Sequence, residues 1–306
     1  MKNGSLVRWF DGAVAAGIAA CCLFAGCSTE KAENERTTKV LMIGNSFSIC
    51  CLRHLPQVAA DRGVKLDLAS LFIGGCSLEF HWTNVVKDVD KGYKPYIFGR
   101  NRRGKFTTAK INVCEALRLE KWDIVTVQQA SHFSWRPETY HPYGDLLIAK
   151  IRELAPQAKI YVQETWSYTP WDGRLKQWGI DQDEMYEKLH VAYGDFAKQF
   201  GLGVIPFGTK VQEWRKRLPV KYAENSLGGD VVGGGHQKPK DQFKRTAENK
   251  WVINCDPFHL GDRGEYFQAL VWAKSLFGVD VSSCGYKPDF VSDSDAELMR
   301  AIANAD

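Results

Sequence analysis

The chain has 306 residues, of which 44% are hydrophobic and 25% are charged, and its formal net charge at pH 7 is +4. This composition is typical of a globular protein with a sizeable core, and it excludes a collagen-like or a largely disordered chain. A net charge this close to zero gives no ground for a nucleic-acid partner, so we expect none.

The first 26 residues predict a secretory signal peptide. Lys2 and Arg8 give a basic start, and a short apolar core of alanine, valine, isoleucine, cysteine and leucine follows. Small residues then stand where a signal peptidase would cut, and the apolar core is shorter than a membrane span.

The end of this segment also predicts a lipid anchor. Leu23-Phe24-Ala25-Gly26-Cys27 resembles a bacterial lipobox, which implies that Cys27 is the lipidated first residue of the mature chain. An ordinary signal peptide followed by an incidental cysteine is the alternative. Residues 27–38 are polar and carry both charge signs, so we expect a flexible tether. The expected location is the bacterial cell envelope, periplasmic or at the cell surface, with the N-terminal lipid in the membrane.

Around Ser46 the pattern predicts a strand, a tight turn and a helix. Residues 39–43 form an apolar run of strand length, and Leu52, Leu55 and Val58 follow at helical spacing. In an open α/β sheet, the turn after a strand lies at the edge where ligands bind. Ser46 is therefore a candidate nucleophile.

Strands and helices alternate through the rest of the chain. Strands are predicted at 66–72, 123–127, 159–163 and 204–206, and helices at 143–154 and 183–200. This alternation predicts a three-layer α/β/α sandwich with a mostly parallel central sheet, flavodoxin-like in arrangement. One domain over 39–306 accounts for it, with insertions near 87–109 and 225–250. The glycine-rich second insertion predicts either a flap beside the site or a solvated loop.

Asp256 and His259 stand three residues apart, immediately before what is predicted to be the final helix. Phe267, Leu270 and Val271 give that helix its apolar spacing. A serine needs an imidazole to take its proton, and a carboxylate to hold that imidazole in the right tautomer. Asp256 and His259 therefore complete a candidate Ser-His-Asp triad.

These segments resemble a known superfamily. Gly44-Asn45-Ser46-Phe47-Ser48 and Asp256-Pro257-Phe258-His259-Leu260 resemble the nucleophile and closing blocks of the SGNH/GDSL-type serine hydrolases, and Gly74-Gly75-Cys76-Ser77 is similar to their second block. The resemblance spans Val40 to about Phe277 and is nearest to a little-characterised bacterial lipoprotein branch. It implies the SGNH-hydrolase fold and ester hydrolysis through an acyl-serine, with no metal and no cofactor. It also implies that the Ser46 and Gly75 N–H groups form the oxyanion hole.

The third block departs from the superfamily pattern. In place of Gly-x-Asn-Asp, the predicted strand at 123–127 runs into Gln128-Gln129-Ala130-Ser131-His132. An oxyanion donor is then missing unless another side chain replaces it. Gln129 is a candidate by chemistry and His132 by alignment. A third interpretation is that the glutamines only end the strand and His132 caps the next element.

Aromatic residues give the only indication of the substrate. Trp82, Trp135 and Trp166 fall just beyond predicted strands or motif blocks, where tryptophan suits the stacking of sugar rings. Packing of the insertions is the alternative. We predict a lipid-anchored serine esterase that removes acetyl or other short acyl groups from carbohydrate. The alternatives are a catalytically weak glycan-binding lipoprotein on the same fold, and a lipase or thioesterase. The sequence does not indicate an oligomeric state.

Overall fold

A computed structural model describes residues 36–88, 92–102, 104–217, 227–235 and 241–305. The predicted signal peptide, Cys27 and most of the tether lie outside the described residues, as do parts of both predicted insertions. Residues from Thr38 onward form one compact unit. Within the described part of the chain, no helix is both long enough and apolar enough to span a membrane.

Seven strands form the central sheet, in the order β4-β3-β2-β1-β5-β6-β7. They are β1 (Thr37–Gly44), β2 (Lys65–Phe72), β3 (Tyr96–Arg102), β4 (Lys105–Ile111), β5 (Ile124–Val127), β6 (Lys159–Gln163) and β7 (Gly203–Ile205). Strand β5 pairs in parallel with β1 and β6, and β6 pairs in parallel with β7. Strand β3 is antiparallel to both β2 and β4. The predicted α/β class is confirmed, with a mixed sheet at one edge.

Helices connect the parallel strands. In chain order they are α1 (Ser46–Ile49), α2 (Cys51–Asp61), α3 (Leu78–Lys87), α4 (Val113–Leu119), α5 (Tyr143–Leu154), α6 (Gly173–Trp178), α7 (Gln182–Phe200), α8 (Phe207–Arg217), α9 (Asp262–Phe277) and α10 (Asp293–Asn304). The predicted bounds of α5 and β6 match the structure. The helix after His259 is not the last one, because α10 follows it, so that prediction was wrong.

The first predicted insertion is part of the sheet. Strands β3 and β4 form an antiparallel hairpin that extends it beyond β2. Six of the seven residues of β4 are exposed, so the strand carries no buried face that an apolar alternation could reveal. The second insertion contains β8 (Phe243–Arg245), which pairs antiparallel with β9 (Trp251–Ile253) just beyond the predicted insertion.

Helix α9 lies at the centre of the core. Eleven of its sixteen residues are buried, and they fall on all sides of the helix rather than on one stripe. Phe267 packs against two rings of α8, with centroid distances of 5.6 Å to Phe207 and 5.9 Å to Trp214. His259 comes three residues before α9, so the candidate base is joined to a rigid element.

Candidate active site

Ser46 lies at the carboxyl end of β1, in a turn that the neighbouring residues make tight. Asn45 caps α1 by accepting a hydrogen bond from the Phe47 N–H at 3.0 Å. A Cβ atom on Gly44 would stand 2.4 Å from the Ser48 Oγ, so any other residue before the cap would displace that hydroxyl. The turn therefore presents Ser46 at the first position of a helix, at the edge of the sheet.

The structure brings Ser46, His259 and Asp256 together in triad geometry. The His259 Nε2 lies 2.7 Å from the Ser46 Oγ, and the His259 Nδ1 lies 2.5 Å from the Asp256 Oδ2. Ser46 and His259 are 213 residues apart in the chain. The chain of hydrogen bonds lets the imidazole accept the serine proton on one nitrogen while its other nitrogen faces a carboxylate.

Asp256 is built to remain a carboxylate. Its Oδ1 accepts hydrogen bonds from the backbone N–H groups of Phe258 and His259, each at 2.9 Å. Burial opposes ionisation, but the bonds from the His259 ring and from these backbone groups outweigh it, and the pKa of Asp256 lies below its usual value. The negative charge that an imidazolium needs is thus present at neutral pH.

The loop that carries Asp256 and His259 is held on one side by the segment after β6. The Pro257 carbonyl accepts from both the N–H and the hydroxyl of Thr169, at 3.0 and 2.7 Å. The Phe258 carbonyl accepts from the Trp166 indole N–H at 2.7 Å. The guanidinium of Arg174 lies 4.1 Å from the centre of the Phe258 ring, a cation–π contact.

The other side of this loop is held by the glycine run of the second insertion. The Gly233 N–H donates to the His259 carbonyl at 2.8 Å, and the Gly234 N–H donates to the Asp256 carbonyl at 3.0 Å. Both glycines are buried and have positive φ values, +104° and +85°. The prediction of a flap or a solvated loop was wrong for residues 227–235, because these backbone donors fix the run against the triad loop.

Two buried glutamines hold the nucleophile turn. The Phe47 carbonyl accepts from Gln163 Nε2 at 2.9 Å and from Gln268 Nε2 at 2.8 Å. Gln163 ends β6, and Gln268 lies on α9, so the turn is joined to both elements. The Phe47 ring stacks on Trp166 with a centroid distance of 4.1 Å. Sequence reasoning missed both glutamines. A glutamine within the apolar pattern of α9 was the one signal that could have indicated Gln268.

The two predicted backbone donors of the oxyanion hole are uncommitted. Neither the Ser46 N–H nor the Gly75 N–H has an acceptor among the residues that the structure describes. Asn45 Nδ2 donates to the Cys76 carbonyl at 3.1 Å and thereby joins the Gly75 loop to the nucleophile turn. Gly75 has a φ of +63°, a conformation that favours glycine.

The third block does not supply a donor through Gln129. Its Nε2 donates to the Thr139 carbonyl and hydroxyl, and its Oε1 accepts from the N–H groups of Leu78 and Ala130. That prediction was wrong, because the amide is fully used in packing. Gln128 instead donates to Asn45 Oδ1 at 2.6 Å and so acts on the nucleophile turn indirectly.

His132 lies against Phe133 and is half-buried. Burial, followed by the charges of Arg174 and Arg136, lowers the pKa of His132 from its usual value. His132 is not among the residues that line the cleft at Ser46, and neither is Gly75. The role of His132 as an oxyanion donor stays a prediction.

A cleft of about 1020 Å³ opens beside the triad. Its lining residues come from α1, α2, α9, the β3–β4 hairpin and the loops around the triad: Ser46, Ile49, Cys50, Leu52, Arg53, Asn101, Phe106, Gly235, Asn254, Cys255, Asp256, His259, Leu260 and Glu265. No group of three or more His, Cys, Asp or Glu residues in the described ranges is placed to hold a metal ion.

The three predicted substrate-binding tryptophans do not line this cleft. Trp166 is completely buried and supports Phe47 and Phe258 instead, so its predicted role in binding was wrong. Trp135 lines a different cleft of about 560 Å³, and Trp82 on α3 packs against the core. The predicted stacking platform for sugar rings is therefore not formed by these residues at Ser46.

Comparisons with known proteins place the chain in context. The sequence model of a family described as "Domain of unknown function (DUF4886)" matches residues 39–225. The structure is similar to that of a DUF4886 family protein from Bacteroides uniformis ATCC 8492, with a TM-score of 0.70 and 27% identity, covering 88% of this chain and 94% of that one. No curated protein matches the sequence.

Two more distant solved structures carry functional descriptions. A protein from Slackia heliotrinireducens, described as a proposed SGNH hydrolase, has a TM-score of 0.49 and 18% identity, covering 79% of this chain and 100% of that one. A family 3 carbohydrate esterase from Clostridium thermocellum has a TM-score of 0.45 and 12% identity, covering 79% of this chain and 96% of that one.

Proposed function

This chain belongs to the DUF4886 family, and we propose that it is a serine esterase that hydrolyses carboxylic esters through an acyl-Ser46 intermediate. One observation carries the proposal: an unbroken chain of hydrogen bonds runs from the Ser46 Oγ through both nitrogens of His259 to Asp256. Pairs of a histidine and a carboxylate are common in proteins and often have only a structural role. Acyl transfer also needs a serine hydroxyl hydrogen-bonded to the other nitrogen of the histidine ring, and Ser46, in a strand-to-helix turn, supplies it.

The proposed reaction has two halves. The Ser46 Oγ attacks the ester carbonyl carbon while His259 Nε2 takes the serine proton, and the alcohol then leaves with that proton. A water molecule next attacks the acyl-serine, giving one proton to Nε2, which returns it to the Ser46 Oγ as the carboxylic acid departs. Asp256 stabilises the imidazolium in both halves through its bond to Nδ1.

Negative charge develops on the carbonyl oxygen in each half. The uncommitted N–H groups of Ser46 and Gly75 are the proposed donors to that oxygen, and each such donor is worth about a hundredfold or more in rate. The bond from Asn45 to the Cys76 carbonyl fixes the Gly75 loop relative to Ser46 before substrate arrives. A preorganised pair of donors stabilises the charge without rearrangement at the moment of reaction.

The test is hydrolysis of 4-nitrophenyl esters by the purified full chain, together with labelling by a fluorophosphonate. We expect Ser46→Ala to lower kcat/KM by at least ~10³-fold and to abolish the label, because no other serine has an imidazole on its Oγ in the described residues. Ser294→Ala, a serine on α10, is the matched control. Absence of both turnover and label in the wild-type chain would overturn the esterase and favour the glycan-binding alternative.

We further propose that the enzyme is anchored in the cell envelope by lipid on Cys27. The support is the sequence pattern before Cys27. Radiolabelled palmitate should enter the expressed chain and should be lost in Cys27→Ala. Cys22→Ala, a change within the signal segment, should keep the label. Label that persists after Cys27→Ala would contradict the anchor.

A further inference from the structure

The cleft beside Ser46 is bounded by apolar side chains from three parts of the fold. Ile49 and Leu52 come from α1 and α2, Leu260 comes from the triad loop, and Phe106 comes from the β3–β4 hairpin. Phe106 is 56% exposed, so its ring lines the cleft and is not packed in the core. An exposed apolar wall in a catalytic cleft is a surface that an apolar ligand can cover.

The position of the Phe106 ring is built into the hairpin. Phe106 pairs with Asn101 across the two strands, and its ring leans over Gly99. A Cβ atom on Gly99 would stand 3.2 Å from the Phe106 Cζ, so the absence of a side chain at Gly99 leaves room for the ring to pack on the strand. An aromatic ring over a strand glycine is a known device for fixing a ring on a sheet.

Arg53, Asn101 and Asn254 at the cleft each have at least one hydrogen-bond partner within the protein. Arg53 donates to Asp262 at 2.5 Å and to Glu265 at 2.9 Å. Asn101 Oδ1 accepts from the Gly104 N–H at 3.0 Å, and Asn254 Nδ2 donates to a backbone carbonyl. The hydroxyl groups of a sugar need several convergent hydrogen-bond partners, whereas an apolar group needs only surface to cover.

We propose that this cleft binds the acyl part of the ester, that this acyl group is an apolar chain or ring larger than acetyl, and that Phe106 determines this specificity. The inference rests on the proposed esterase function. An acetyl group would fill only a small part of a cleft of about 1020 Å³. Burial of each further methylene against the apolar wall is worth up to about fourfold in binding. That gain appears in kcat/KM when the contact is kept in the transition state.

The experiment measures kcat/KM of the full chain for 4-nitrophenyl acetate, butyrate, hexanoate, octanoate and benzoate. We expect the value to rise at least tenfold from acetate to octanoate. In Phe106→Ala the ratio of the octanoate value to the acetate value should fall tenfold or more, and the ratio of benzoate to acetate should fall with it. Val191→Ala, which shortens an exposed apolar residue on α7, should leave the whole series unchanged.

A binding measurement separates this inference from the esterase proposal. Octanoate should bind the Ser46→Ala variant, measured by displacement of a fluorescent apolar probe, and adding Phe106→Ala should weaken that binding at least fivefold. Octanoate binding that depends on Phe106, without ester turnover by the wild type, would retain the inference and overturn the esterase. Ser46-dependent turnover that favours acetate and ignores Phe106 would overturn the inference and retain the esterase. No octanoate binding and no turnover would overturn both.

Discussion

Among the residues that the structure describes, three hydrogen-bond donors contact the two carboxylate oxygens of Asp256. Oδ1 accepts from the backbone N–H groups of Phe258 and His259, which shape the loop, and Oδ2 accepts from the His259 ring. The role of Asp256 in shaping the loop can therefore be separated from its role as the negative charge beside His259. An amide oxygen can replace Oδ1, but an amide NH₂ in the place of Oδ2 cannot accept a hydrogen bond from the ring N–H.

We expect Asp256→Asn to keep the loop and to lose most of the activity. The Asn Oδ1 can still accept the two backbone bonds, whereas its NH₂ group favours the wrong imidazole tautomer, and kcat should fall by ~10⁴-fold. Steady-state kinetics with one 4-nitrophenyl ester, beside thermal unfolding, would measure both. A fall of less than tenfold would remove Asp256 from the mechanism.

Gln163 and Gln268 lead to a different prediction, since each side chain has one satisfied and one unsatisfied end. Both donate to the Phe47 carbonyl, while neither Oε1 has a hydrogen-bond partner within the described part of the chain. In Gln268→Leu the Phe47 carbonyl keeps its bond from Gln163 and an unsatisfied oxygen disappears, so the free energy of unfolding should change by less than ~1 kcal/mol. Because the turn then lacks its connection to α9, kcat should fall about tenfold or more with KM nearly unchanged.

The double variant provides the control for this pair. Gln163→Leu combined with Gln268→Leu leaves the Phe47 carbonyl buried without a donor, which should cost ~1–3 kcal/mol beyond the sum of the single changes. Gln268→Glu replaces the amide donor by a carboxylate and should behave like the leucine variant in kcat. Additive stability effects, or full activity in all three variants, would contradict a positioning role.

At the scale of elements, the triad loop depends on the glycine run of a neighbouring segment. Gly233 has a φ of +104°, and a Cβ atom there would stand 3.0 Å from Trp171. We expect Gly233→Ala to lower the free energy of unfolding by ~1–3 kcal/mol, because alanine is strained at this φ. We also expect kcat to fall at least tenfold, because a shift of this backbone moves the N–H that donates to the His259 carbonyl. Gly229→Ala, with a φ of +82° and open space around its Cβ, should share the strain and keep the activity.

Local patterns predicted the elements that have one buried stripe or two buried faces. In helix α5 the buried residues recur with the helical period, and in strand β1 the burial is continuous over its second half. Strand β4 was missed because its residues are exposed, and the glycine run was misinterpreted because its partners lie some 25 residues further along the chain. Likewise, motif spacing predicted the triad, while Gln163 and Gln268 act across 116 and 221 residues, where no local pattern reaches.

At the scale of the whole molecule, two buried histidines connect stability to pH. His81 on α3 is completely buried against Tyr96, and burial lowers the pKa of His81 to about 3. His54 on α2 is bonded to Tyr286, and burial together with the charge of Arg53 lowers the pKa of His54 to about 4. Neither residue belongs to the triad, so acid should weaken the fold through sites that do no chemistry.

The sign follows from proton counting. The unfolded chain binds a proton on each histidine below pH ~6.5, whereas the folded chain keeps both neutral down to their lowered pKa values. Stability from these residues is therefore fully present above pH ~6.5 and is lost as the pH falls toward 4 for His54 and toward 3 for His81. Between pH 7 and pH 5 each histidine should cost ~2 kcal/mol, at 1.36 kcal/mol for each pH unit below 6.5.

Replacing His81 by Phe separates the contribution of His81 to the acid-induced loss of stability from the contributions of other titrating groups. Asn84 also donates to the Tyr96 hydroxyl, so His81→Phe leaves that hydroxyl with a partner while it removes the titrating ring. Urea unfolding at pH 7 and pH 5 should show that the variant loses ~2 kcal/mol less stability between the two pH values than the wild type does. Val191→Ala, a change at an exposed position that removes no titrating group, should lose as much as the wild type. Equal losses in His81→Phe and wild type would mean that His81 takes up no proton on unfolding, and its burial against Tyr96 would then have no part in the acid response.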